Sequence, residues 1–227
     1  MKNTLIKSLY SILKTDKDSY NFIMNLMNCC DLYLFGGGVR DLLNNNLDYV
    51  RDLDFVIKSK NNEMINLESY IPNYINFKKN RFNGYKIFFD NFIIDIWDIK
   101  NTWAFKSNLL DNSVENLLNS VYLNIDSLLY CLNENRYINN CDKTYRKIKQ
   151  LDIILEKTPC EKLNLLRAII YKNKYSLKMS NNLKKRFYNY FYADNENLID
   201  EFMILQKEHY NNYIYTKQEL MKELSLL

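Results

Sequence analysis

Histidine is nearly missing. His209 is the only one in 227 residues, which excludes multi-histidine metal sites and leaves a His-dependent triad no other histidine to use. It lies in an acidic, helix-patterned stretch that suits a structural role. Cysteine is sparse and odd in number (Cys29, Cys30, Cys131, Cys141 and Cys160), with no Cys-x-x-Cys pair. That argues against a zinc site or a disulfide framework and fits a reduced, cytoplasmic setting. No run reaches about 18 apolar residues, so neither a membrane span nor a membrane partner is expected. Met1–Lys17 also lacks the apolar block and small-residue cleavage site of a signal peptide. Proline occurs twice and glycine four times, so each glycine is informative about where the backbone must turn or approach something closely.

What remains is an apolar-rich chain whose strand signals sit in its first half and whose helical signals dominate its second. Residues 4–14 and 19–29 carry apolar positions at helical spacing. Leu32–Phe35 reads as a short strand, Val39–Leu43 as the opening of a helix, and Asp52–Ile57 as a second strand. Residues 62–70 read as helical up to Pro72. Tyr85–Phe89 and Phe92–Trp97, separated by Asp90–Asn91, read as a hairpin. Beyond about residue 110, Val114–Leu118 and Ile125–Leu132 read as helical. From Thr144 onward the pattern is helical almost throughout, with breaks near Pro159 and Asn181–Asn182. The expectation is an α+β fold: a head with a mixed β-sheet over residues 1–135, then an all-α part over residues 136–227.

Three of the four glycines are consecutive, in Leu34-Phe35-Gly36-Gly37-Gly38-Val39-Arg40-Asp41, between a strand and a helix. Such a turn brings backbone N–H groups close to a ligand and suits phosphate. A plain tight turn is the simpler alternative. Asp52-Leu53-Asp54 follows; residues i and i+2 of a strand point the same way, so both carboxylates project from one face. Two like charges so close repel, and a divalent cation that also takes substrate phosphates resolves the conflict. Asp95, between Ile94 and Ile96, is a charge inside an apolar strand and needs a metal or an ion-pair partner such as Arg40 or Lys86. Three strand-borne carboxylates and a phosphate-ready turn are the parts required for metal-dependent phosphoryl chemistry.

Gly36-Gly37-x-Val39-Arg40-Asp41-x-Leu43 followed by Asp52-x-Asp54 resembles the head motif of the class II tRNA nucleotidyltransferases and their poly(A) polymerase relatives. Leu123–Tyr130 resembles that family's Phe-Thr-Ile-Asn-Ala segment, with Ser120-Val121-Tyr122 where the family has Arg-Arg-Asp. Cys160-Glu161-x-x-Asn164 stands where the family has Glu-Asp-x-x-Arg, and Leu165–Ile169 is similar to the neck helix that follows. The resemblance implies a nucleotidyltransferase head, then a helical neck and body. It implies a catalytic and metal-holding trio of Asp52, Asp54 and Asp95 with Mg²⁺ or Mn²⁺. It also implies an NTP, ATP or CTP, held by Gly36, Gly37 and Arg40 and read by Glu161, Asn164 and Arg167.

Charge points to the acceptor. Residues 142–186 carry 13 Lys and Arg against 4 Asp and Glu, a net +9, whereas residues 187–227 carry 3 against 7, a net −4. Tyrosines interleave the basic stretch, so its cations can neutralise phosphates while rings stack on unpaired bases. Lys184, Lys185 and Arg186 are its densest run and the expected RNA contacts. A solvated helix face is the plain alternative. The function expected is template-independent transfer of NMP to an acceptor hydroxyl, with an RNA 3′ end, tRNA above all, as the favoured partner. A small-molecule or protein hydroxyl is the rival acceptor.

Overall fold

The computed structural model describes residues 2–45, 52–61, 65–193 and 198–226. Its first unit comprises residues 1–121 and 125–147, and its second residues 122–124 and 148–227.

The first unit is organised by period-2 patterning. Strands β1 (Cys30–Phe35), β2 (Asp52–Ser59), β3 (Phe77–Lys79), β4 (Tyr85–Phe88), β5 (Ile93–Asp98), β6 (Leu129–Cys131) and β7 (Arg136–Tyr137) form a seven-stranded sheet in the order β3-β4-β5-β2-β1-β6-β7. The β2–β5 pairing is parallel and every other pairing is antiparallel. Leu32 and Leu34 of β1, Leu53, Phe55 and Ile57 of β2, Ile94 and Ile96 of β5 and Ile87 of β4 are fully buried. They share one face, because directly paired and alternate residues point the same way. Each such side chain contributes about 1.5–3 kcal/mol of transfer free energy.

Helix α1 (Lys2–Leu13) buries Leu5, Leu9 and Leu13 at four-residue spacing. In α2 (Lys17–Cys29), Asp16 caps the first turn by accepting from the Asp18 and Ser19 N–H groups, each at 2.9 Å. Its buried Phe22, Ile23 and Leu26 follow the 3.6 period, and α2 packs against β1. Helix α3 (Gly37–Leu43) packs against β1 and β2. The opposite face of β2, β4 and β5 carries Asp52, Asp54, Ile93, Asp95, Trp97, Lys86 and Phe88, none of them fully buried.

After β5 come the short helices α4 (Trp103–Lys106) and α5 (Val114–Leu117), and after β7 α6 (Cys141–Tyr145). The second unit holds α7 (Glu161–Lys174), α8 (Asn181–Ala193), α9 (Leu198–Tyr210) and α10 (Lys217–Ser225). It also holds a parallel pair of two-residue strands, β8 (Gln150–Leu151) and β9 (Lys178–Met179). Helix α10 begins with a capping box formed by Thr216 and Glu219.

Three sequence expectations are corrected. Ile125–Leu132 is not helical: a 3₁₀ turn over Asn124–Asp126 leads into β6, which is buried on both faces and pairs with β1. An unbroken apolar run has the same appearance in a buried strand and a buried helix, and only the partner strand decides. Residues 62–64 lie outside the described residues, and Leu67–Tyr70 forms a single 3₁₀ turn rather than the end of a helix. Asn181–Asn182 opens α8 instead of breaking a helix. The break falls earlier, at Tyr175–Ser180, where Ser176 has φ +51° and β9 intervenes.

Candidate active site

The sheet register assembles the carboxylates. Asp54 on β2 lies directly opposite Asp95 on β5, and Asp52 lies one pleat away, opposite Ile93. Asp95 in turn lies opposite Lys86 on β4, and Asp54 opposite Phe35 on β1. Lys86, Asp95, Asp54 and Phe35 therefore form one row across four strands, on the face that the apolar core leaves open.

Lys86 is the counter-charge of this row. Its Nζ donates to Asp95 Oδ2 at 3.0 Å. Burial pulls its pKa down, but the bond to Asp95 and the charges of Asp95, Asp52 and Asp54 outweigh it, leaving the ammonium above its usual value. Burial raises the Asp95 carboxyl above the ordinary range, Lys86 opposes that rise, and the charge of Asp52 adds to it. The ion pair weighed for Asp95 from sequence is thus formed, with Lys86 rather than Arg40 as partner.

Among the described residues, no group of three or more His, Cys, Asp and Glu side chains is gathered closely enough to hold a metal ion by itself. The donor chemistry still fits Mg²⁺. Such an ion takes one or two protein carboxylates and completes its shell with water and substrate phosphates, and Asp54 beside Asp95 is a carboxylate pair of that kind.

Gly36 stands where β1 turns into α3, at φ 61° and ψ −124°, a conformation open essentially to glycine alone. Its N–H donates to the Leu128 carbonyl at 2.8 Å, so Gly36 shapes the turn and ties it to the segment before β6. Gly37 follows as the first residue of α3, and a Cβ there would sit 3.3 Å from Arg40 Nη2. Arg40 is buried; its Nη1 is paired with Asp126, and its Nε lies 3.4 Å from Asp41. It therefore braces the turn. Asp126, inside the stretch misread as helix, is the partner that sequence reasoning missed. Its signal was a lone acid in an apolar run.

The remaining expected residues lie in the second unit. Glu161, at the start of α7, is paired with Arg186 of α8 and accepts from the Tyr190 hydroxyl at 2.7 Å. Tyr122 belongs to the same group; burial, then the Glu161 charge, pushes its phenol up while Arg186 opposes. Asn164 donates to Thr158 Oγ1 at 3.0 Å, and Arg167 lies two residues before the buried Ile169 on the same helix. The structure thus joins Glu161 to Arg186, two residues expected in different roles. Lys185 is exposed and Lys184 half-buried beside them on α8.

No protein-family model matches the sequence, and no curated protein sequence does. Solved structures match in fold. A CCA-adding enzyme with CTP superposes at TM-score 0.63 and 15% identity, over 95% of this chain and 54% of that one. The Thermotoga maritima CCA-adding enzyme complexed with tRNA gives 0.58 and 15%, over 91% and 49%. A tRNA nucleotidyltransferase complexed with a primer tRNA and an incoming ATP analog gives 0.56 and 18%, over 80% and 54%. The chain spans about half the length of these structures. Likeness at this identity speaks to fold alone: a mixed sheet with its helices, followed by a mainly helical part.

Proposed function

We propose that this chain is a nucleotidyltransferase that moves NMP from an NTP to the 3′ hydroxyl of an RNA, tRNA being the favoured acceptor. The observation that carries the reading is the sheet register, which sets Asp54 against Asp95 with Asp52 one pleat away, beside the Gly36 turn. The fold neighbours, solved with CTP, with ATP and with a primer tRNA, support it.

In this reaction the acceptor oxygen bonds to the α-phosphorus, the bond from that phosphorus to its bridging oxygen breaks, and pyrophosphate leaves. Gly36 and Gly37 shape the backbone around the phosphates, and Arg40 fixes that turn through Asp126. Asp54 and Asp95, with Asp52 one pleat away, would hold Mg²⁺ or Mn²⁺ together with substrate phosphates, and the ion when bound supplies charge neutralisation at the phosphates. Asp95 would help to activate the acceptor hydroxyl by taking up its proton. Lys86 pairs with Asp95 and offsets part of the carboxylate charge. The net +9 of residues 142–186 supports an RNA acceptor.

The test is incubation with labelled NTPs, Mg²⁺ and bulk RNA, with products resolved by size, for wild type and Asp54→Asn. Label on RNA in wild type and a loss of at least about a hundredfold in the variant are expected, since the lost contacts should cost several kcal/mol of barrier. Label on a small molecule or on protein would replace RNA as the acceptor. A variant that keeps wild-type activity would remove the carboxylate row from the mechanism.

A further inference from the structure

A hollow of about 220 Å³ opens in the first unit, on the same sheet face as the carboxylate row. Its walls include Phe35, Phe82, Trp97 and Trp103, none of them fully buried. Trp97 lies two residues beyond Asp95 on β5, and Phe35 is the residue paired with Asp54. The aromatic rim is held in place. Trp97 Nε1 donates to Thr102 Oγ1 at 3.1 Å, and the Phe35 ring meets the Trp97 ring edge-on at 6.0 Å. Below it, Asn80 Oδ1 accepts from the Phe82 and Gly84 N–H groups, each at 2.9 Å. Gly84 then passes so close that a Cβ would stand 3.3 Å from Trp97 Cβ.

We infer that this hollow binds the base of the acceptor's 3′-terminal nucleotide. The inference rests on the nucleotidyl-transfer reading and adds where the acceptor sits. Three features select a neutral flat ring. No charged side chain lines the hollow, so a phosphate has no counter-ion there. Its volume lies below the ~300–1,000 Å³ of drug-sized sites and suits one heterocycle. Aromatic faces stack on unpaired bases of any sequence, and the amides and hydroxyls of Asn80, Asn101, Thr102 and Ser120 can meet polar base edges.

Direction selects the acceptor over the NTP. Gly36 leaves the sheet at the end of β1 beyond Phe35, whereas Trp97 lies the opposite way from the Asp54–Asp95 row. The entering hydroxyl and the departing pyrophosphate lie in line on opposite sides of the phosphorus. With the phosphates at the glycine turn, the acceptor approaches from the Trp97 side.

The chain carries its own probe, because Trp97 and Trp103 are its only tryptophans. The full chain is titrated with a short single-stranded RNA, with the same RNA made abasic at its last nucleotide, and with NTP alone, following tryptophan emission. Quenching by the intact RNA only is expected. Trp103→Ala should raise KM for RNA by roughly ten- to hundredfold, the worth of one stacked base, with KM for NTP unchanged. Trp103→Phe, which keeps a stacking face, should stay near wild type and controls for folding. Quenching by NTP alone, equal quenching by intact and abasic RNA, or an unchanged RNA KM in Trp103→Ala would each overturn the assignment. Absence of transfer in wild type overturns the reaction instead; transfer with base-insensitive emission overturns the hollow alone.

Discussion

Asp95 concentrates the conflict between folding and chemistry. Burial raises its carboxyl above the usual range against the pull of Lys86, so ionising it costs the folded state more than the unfolded chain. A carboxyl whose folded pKa is raised contributes stability that is fully present below its unfolded value and is lost as pH rises through the folded one. Asp95→Asn removes that penalty. Melting temperatures measured between about pH 4 and 7 should therefore show the variant gaining on wild type as pH rises, while nucleotidyl transfer is lost. A difference that stays flat with pH would mean that Lys86 fully offsets the burial. The need for a partner at Asp95 was readable in the sequence, because an acid between Ile94 and Ile96 cannot remain uncompensated. The identity of that partner was not, since β4–β5 register alone sets Lys86 opposite.

Charge pairs join elements from distant segments of the chain. Arg40 binds α3 to the 3₁₀ turn before β6 through Asp126, with side-chain exposures of 6% and 21%. Arg40→Ala leaves that carboxylate unpaired and half-buried. It should cost about 3 kcal/mol in urea unfolding, the lower end for breaking a buried pair. A loss under about 1 kcal/mol would place the pair with solvated surface bridges. On α8 the pairing of Arg186 with Glu161 leaves Lys184 and Lys185 as the better phosphate contacts. Replacing both with Ala should reduce the log–log salt slope of single-stranded RNA binding by roughly 1.4, about 0.7 for each lost contact. An unchanged slope would remove this helix face from the RNA path. The cationic run was evident in the sequence; that one of its members is spent on Glu161 depends on how α7 and α8 pack.

For the whole molecule, the candidate site is not what holds the fold. The apolar face of the seven-stranded sheet does that, and Lys86 offsets part of the carboxylate charge through its pair with Asp95. Chelation of divalent ions should therefore abolish transfer and lower the melting temperature only by the small linkage of weak Mg²⁺ binding, whereas removal of a structural metal would unfold the chain. Calorimetry with and without chelator reads this directly. Among the described residues no helix is long and apolar enough to cross a membrane. The sequence by itself determined the local parts: the glycine turn, Asp52 and Asp54 on one strand face, the β4–β5 hairpin, and the change from mixed sheet to helices. These follow from residue type and from periods of two or 3.6, which act over a few neighbours. Tertiary structure alone decided that Leu129–Cys131 is a strand, that Asp126 answers Arg40, and that Trp97 and Trp103 share a hollow near Asp95. Each of these depends on strand order and register between segments far apart in the chain, and no local pattern of residues encodes that.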